Sequence, residues 1–165
     1  MFVKPNKTNK QNQTDKVMTR EDIAIKIIKH FNPKGFILDP AMGSGAFYDN
    51  FPDKENNLWC EIDKGRDFFN FNNYVDWIIT NPPYSIYDKF LLKAFEVADN
   101  VVFLVPLAKA FKSQKIEKEI EKYGGLKEIV MLGGGGKIGF PFGFPCGCLY
   151  YKRGYKGDVK ITRMY

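Results

Sequence analysis

Three short apolar runs in this chain each stop at a polar residue suited to touching a ligand. Phe36-Ile37-Leu38 runs into Asp39-Pro40, Asn57-Leu58-Trp59-Cys60 leads to Glu61, and Val75 to Thr80 (VDWIIT) is followed at once by Asn81. Runs of this length, bounded by polar, Pro and Gly residues, read as buried strands. Val101 to Val105 (VVFLV) and Leu126 to Leu132 continue the series, with a last strand near Leu149 to Lys152. Helical spacing fills the intervals. TREDIAIKIIKHF opens at Thr19 as a cap with Asp22 three residues on, places Ile23, Ile27, Ile28 and Phe31 on one face, and ends at Asn32-Pro33 and Gly35. Ser85 to Ala98 repeats the pattern through Ile86, Phe90, Leu91, Phe95 and Val97, and residues 113–123 form a strongly charged helix carrying Ile116 and Ile120. Strands that alternate with helices and are apolar throughout predict an α/β fold, a mostly parallel sheet covered on both faces. The closing pair of strands, joined by a loop, predicts an antiparallel edge hairpin.

At 165 residues there is room for one domain, and an apolar fraction of 44% excludes a disordered chain. Several chemistries are also excluded. Cys60, Cys146 and Cys148 are an odd count without a CxxC pair, and the one histidine, His30, leaves no zinc set and no Ser/His/Asp triad. His30 stands at a helix C-terminus, where it complements the dipole. Cys146 and Cys148 are too close in sequence for an ordinary disulfide, so buried free thiols in a reducing compartment are expected. No apolar run approaches a membrane span, and MFVKPNKTNKQNQTDK lacks the apolar centre of a signal peptide, which predicts a cytoplasmic protein.

FILDPAMGSGAF combines a strand, an acid and a glycine turn. In an open α/β sheet, ligands bind beyond the carboxyl ends of the strands, and Gly43 and Gly45 let the backbone approach one closely. Tyr48 stands where a dinucleotide fingerprint has its third glycine, and no Gly-Lys-Ser/Thr of a P-loop is present. A carboxylate at Asp39 suits a ligand bearing an ammonium group and repels phosphate; the alternative is a tight strand-helix turn with Asp39 as a cap. Glu61, with Asp63 as competitor, is placed to accept both hydroxyls of a ribose, and Asp67-Phe68 offers an adenine a polar contact and an apolar face.

Asn81-Pro82-Pro83-Tyr84 is the most specific motif in the chain. Two prolines fix φ and remove two donors, so the tetrapeptide is stiff and presents carbonyls. The Asn81 side-chain carbonyl and the Pro82 carbonyl can both accept from one planar NH2 group. Such a cage tends to pull the nitrogen from planarity and expose its lone pair. Tyr84 gives a base a flat face to stack on, worth about 1–3 kcal/mol.

DPAMGSG followed by NPPY resembles the S-adenosylmethionine-dependent amino-methyltransferases, most closely the DNA adenine methyltransferases, over about residues 17–151. The resemblance implies a single Rossmann-like methyltransferase domain. It also implies that Asp39, Pro40, Gly43 and Gly45 bind the methionine part of the cofactor, Glu61 its ribose, and Asp67 and Phe68 its adenine. Thr19 flanks the methionine end, although Thr-Arg stands here where many members have Thr-Pro. Asn81, Pro82 and Tyr84 match the catalytic tetrapeptide. The implied reaction is direct transfer of methyl from sulfonium to an exocyclic amino nitrogen of adenine in DNA, with the base flipped out of the duplex. RNA or a protein glutamine are alternative acceptors, and a catalytically silent partner subunit is the alternative outside enzymes. Two departures stand out. Only five residues separate Glu61 from Asp67, so the crossover helix after the second strand looks deleted, and nothing is left over for a target-recognition domain, which makes a partner subunit an expected source of recognition.

Phe140, Phe142 and Phe144 occupy a Gly/Pro-rich loop, either as stacking surfaces opposite Tyr84 or as a loop cap or core plug. Gly133 to Gly136 reads as a mobile lid or hairpin turn. The net charge of +6 is carried by the two ends. Residues 1–16 hold Lys4, Lys7, Lys10 and Lys16 against Asp15 and read as a flexible basic arm. The tail holds Lys152, Arg153, Lys156, Lys160 and Arg163 against Asp158, leaving the remainder of the 17–165 domain near neutrality. Those ends are the expected grip on nucleic-acid phosphates.

Overall fold

The computed structural model describes residues 16–111 and 113–165; the expected basic arm, apart from Lys16, lies outside the described residues. In chain order the elements are α1 (Glu21–Phe31), β1 (Ile37–Asp39), β2 (Asn57–Trp59), β3 (Val75–Thr80), α2 (Tyr87–Val97), β4 (Ala98–Pro106), α3 (Gln114–Tyr123), β5 (Gly124–Gly134), β6 (Pro145–Arg153) and β7 (Lys160–Arg163), with short 3-10 turns between them. They build one seven-stranded sheet in the order β2-β1-β3-β4-β6-β5-β7. The strands β1 to β4 run parallel to one another, and β6 runs antiparallel to both β4 and β5.

Continuous apolar strands are explained by helices on both faces. Ile78, Val101, Phe103 and Val105 point into the layer made by α2 and α3, while the intervening Ile79, Val102 and Leu104 point into the layer made by α1. On the first face Phe95 of α2 stacks on Tyr123 of α3 with ring centroids 4.0 Å apart. The charged helix α3 buries only Ile116, Ile120 and Tyr123, and the Ser113 hydroxyl caps its start by accepting from the Ile116 N–H. On the second face α1 buries Ala24, Ile27 and Ile28. The α1 dipole is matched by Glu21 and Asp22 at its start and by Lys29 and His30 at its end.

The structure corrects or decides four expectations. Thr19 does not cap α1: the helix begins after Arg20, with no side-chain cap, and the Thr19 hydroxyl is used elsewhere. Phe140 is a core residue, 4% exposed, packed in the α1 layer. Of the two readings of Gly133–Gly136, the hairpin turn holds and the lid does not: β5 runs through Gly134, which pairs with Pro145 of β6, and the Gly135 N–H is tied to the Phe144 carbonyl. The basic tail includes a strand, β7, which lies parallel to β5 outside the expected β5–β6 hairpin. Its basic groups are partly committed within the fold: Lys156 donates to the Glu121 and Gly124 carbonyls, and Arg153 donates to Asp99 and to the Phe95 and Ala98 carbonyls. The crossover after β2 follows the expectation, with two 3-10 turns (Ile62–Lys64 and Phe68–Asn70) in place of a helix, and β2 is an edge strand. All three cysteines are free and buried. No helix of the described residues is long and apolar enough to cross a membrane.

Candidate active site

The loops after β1, β2 and β3 and the segment 16–19 ahead of α1 enclose a cleft of about 270 Å³. Asp39 is not among the residues that line it. Burial leaves that side chain 1% exposed, beneath Pro40 and Ala41, which line the cleft themselves. One carboxylate oxygen accepts from the Thr80 hydroxyl of β3 at 2.7 Å and from the Ala41 N–H at 3.3 Å. Those bonds and that of the Tyr48 amide do not offset the loss of water, so burial, with Glu61 nearby, pushes the Asp39 carboxyl up to about 7. The sequence places Asp39 against a ligand; the structure places it one layer behind, joining β1 to β3.

The glycine turn is stapled to the loop after β2. The Met42 N–H reaches the Cys60 carbonyl at 3.0 Å, and the Gly43 N–H reaches Glu61 Oε2 at 2.7 Å. Gly43 (φ +53°) and Gly45 (φ +94°) both occupy the left-handed region. A Cβ on Gly43 would approach Met18 Sδ to 3.2 Å, and one on Gly45 would meet Asp49 Oδ2 at 2.6 Å. Glu61 also accepts from the Asp63 N–H, and Asp67 from the Phe69 N–H, so both acids are held at the cleft rim by their own turns. Phe68 lines the cleft but is almost wholly buried, its ring 4.7 Å from that of Phe90. Ile62 and Phe69 supply the more exposed apolar surface there, as does Met18 at the other end. Sequence reading missed all three. The one available signal was Ile62, an isoleucine between two acids with no helix or strand face to join.

From the tetrapeptide, Asn81 and Pro83 line the cleft, and Pro82 is buried. The Asn81 amide nitrogen donates to the Val17 carbonyl at 2.8 Å and to the Thr19 hydroxyl at 3.1 Å. Tyr84 opens a 3-10 turn, and the Lys109 ammonium donates to its carbonyl at 3.2 Å. The Tyr84 ring meets Phe142 edge-on at 6.3 Å, and Phe144, 62% exposed, lies 5.4 Å beyond Phe142. Of the three loop phenylalanines, Phe142 is thus brought to Tyr84, Phe144 packs on Phe142, and Phe140 plugs the core.

Neither a protein-family model nor a curated protein sequence matches the chain. Solved structures do match. A protein assigned to the class I S-adenosylmethionine-dependent methyltransferases from Listeria monocytogenes superposes with a TM-score of 0.73 at 16% identity, over 93% of this chain and 67% of that one. The fold is that of the Rossmann-like methyltransferases. A type I restriction-modification methyltransferase subunit from Streptococcus thermophilus gives 0.63 at 15% identity over 93% of this chain, which spans 48% of the subunit. A protein assigned as an RNA methyltransferase from Pyrococcus horikoshii gives 0.54 at 18% identity, over 81% of this chain and 83% of that one. Within this Rossmann-like methyltransferase fold, the cleft lies at the carboxyl ends of β1, β2 and β3, the position where open α/β sheets bind their ligands.

Proposed function

We propose that this chain is an S-adenosylmethionine-dependent methyltransferase that modifies the exocyclic amino group of adenine in DNA. One observation carries the reading: Asn81 lines the same cleft as the Gly43–Glu61 staple. The residues present fit such a cofactor. The turn brings Gly43 and Ser44 to the cleft, two rim carboxylates are held there by their own turns, and a buried carboxyl with a raised pKa lies under the floor, where a cation is favoured.

On this reading Pro40 and Gly43 hold the methionine part, Gly45 shapes the turn from its buried position beside Asp49, and Asp39 acts on the charge through the floor. Glu61 accepts the ribose hydroxyls, and Asp67 with Ile62 and Phe69 receives the adenine. The cofactor supplies an electrophilic methyl carbon on a sulfonium. The chain supplies position and polarity. Asn81 Oδ1 and the Pro82 carbonyl accept both N–H bonds of the substrate amino group, which directs its lone pair into the cleft. Tyr84, with Phe142 beside it, provides the face against which an extruded base stacks. The likeness to a subunit of a type I restriction-modification system supports DNA as substrate and a partner that supplies target recognition.

The test is transfer of labelled methyl from S-adenosylmethionine to duplex DNA, single strands, RNA and a protein extract. Label is expected in duplex DNA as N6-methyladenine, reduced by about 100-fold or more in Asn81→Ala. Label in RNA alone replaces the substrate and keeps the mechanism. No incorporation anywhere, with no cofactor binding by calorimetry, overturns the proposal.

A further inference from the structure

Amide oxygen and nitrogen are interchangeable in shape, so an asparagine in a site is ambiguous until its neighbours decide it. For Asn81 they do. The Val17 carbonyl has no hydrogen to give, and it lies 2.8 Å from the amide. A flipped side chain would set two oxygens against each other, so the atom facing Val17 is the nitrogen. That nitrogen has two hydrogens, and the Thr19 hydroxyl, 3.1 Å away, takes the second. Oδ1 accepts no hydrogen bond from any described residue, while Asn81 lines the cleft. Thr19 has no competing duty, since α1 begins without a side-chain cap.

We propose that Thr19, together with the Val17 main chain, is a positioning device that locks the Asn81 amide with its oxygen toward the cleft. The site is thereby made to select a hydrogen-bond donor, an amino or amide NH2 group, and to reject a keto oxygen in the same place. The inference rests on the methyltransferase reading for its chemistry, but the lock itself is measurable without turnover. It also moves Thr19 from the methionine end of the cleft to the substrate side.

Two measurements on the full chain test it. In 15N-labelled protein the Asn81 side-chain NH2 pair is identified by its loss in Asn81→Ala. Its solvent exchange is expected to be slow in the wild type, faster by about tenfold in Thr19→Val, which keeps the shape and removes the acceptor, and slow again in Thr19→Ser. In methyl transfer to duplex DNA, Thr19→Val is expected to lower kcat by about tenfold with the Kd for S-adenosylmethionine within about twofold of wild type, and Thr19→Ser to restore kcat. Free exchange of the Asn81 amide in the wild type, or an unchanged exchange rate and kcat in Thr19→Val, overturns the lock. So does a weakened cofactor Kd with kcat intact, which would assign Thr19 to the cofactor. A wild type that transfers methyl to nothing while its Asn81 amide exchanges slowly, and Thr19→Val speeds that exchange, sinks the methyltransferase reading and leaves the lock standing.

Discussion

Asp39→Asn isolates the cost of keeping a carboxyl under the cleft floor. In the unfolded chain this group titrates near 3.8, and in the folded protein burial moves it to about 7. The folded state therefore binds a proton more tightly, and stability falls as pH rises from 3.8 through 7. For one carboxyl with that pair of values, the loss between pH 5 and pH 8 is about 2–3 kcal/mol. Asparagine does not titrate, so the variant lacks this slope. It carries instead a constant penalty of about 1–3 kcal/mol, because its NH2 group must face N–H donors such as that of Tyr48. Urea unfolding of both proteins at pH 5, 6, 7 and 8 separates the two effects, since only the slope reports the ionisation. A cationic ligand in the cleft should pull the wild-type carboxyl back down. Its binding is then expected to release up to about half a proton at pH 7, and more at pH 6, in calorimetry across buffers of different ionisation enthalpy, and none in Asp39→Asn. Parallel pH–stability curves for the two proteins would refute the burial argument.

Gly45→Ala forces a Cβ into a left-handed residue 2.6 Å from Asp49 Oδ2 and is expected to lower stability by about 1–3 kcal/mol in urea unfolding. Phe95→Ala removes the ring stacked on Tyr123 and is expected to cost about 3–5 kcal/mol, read as a shift in the urea midpoint. Burial raises the Glu128 carboxyl, but the Thr162 hydroxyl, His30 and Lys160 outweigh it and hold the group below its ordinary value. Stability from Glu128 is thus present above about 4.5 and lost as pH falls through the folded value, and Glu128→Gln should flatten that acid limb in thermal melts. Deleting residues 1–15 removes Lys4, Lys7 and Lys10 and is expected to weaken duplex DNA binding and flatten its salt dependence, with cofactor affinity unchanged in calorimetry.

The central sheet was legible because its strands are apolar on both faces and stop at punctuation. VDWIIT matches β3 from end to end, and NPPY follows it directly. The short interval between Glu61 and Asp67 foretold the missing crossover helix, since no helix fits there. β7 was not legible: Lys160-Ile161-Thr162-Arg163 is an exposed edge strand with no apolar run, and only its pairing with β5 defines it. In the site, residue types were readable and their depths were not. Nothing local in DPAMGSG says that Thr80, forty-one positions on, will turn the Asp39 carboxyl away from the cleft. Nor does the Phe140-Pro-Phe-Gly-Phe pattern say which ring is core, because a loop has no period from which to infer a face.

The strand β7 also sets a timetable for folding. Met164 packs against the α1 layer, its N–H bonds to the Met131 carbonyl, and its own carbonyl takes the Lys26 ammonium from α1 across 138 positions of sequence. Closing a loop of that length is an event that local helix formation cannot hasten. A chain arrested on the ribosome before residue 160 would hold α1 against an unfinished layer, with the outer edge of β5 bare and Glu128 lacking Thr162 and Lys160. Such an intermediate exposes a strand edge to other chains, which makes the edge strand β7 a guard against aggregation as much as a source of stability.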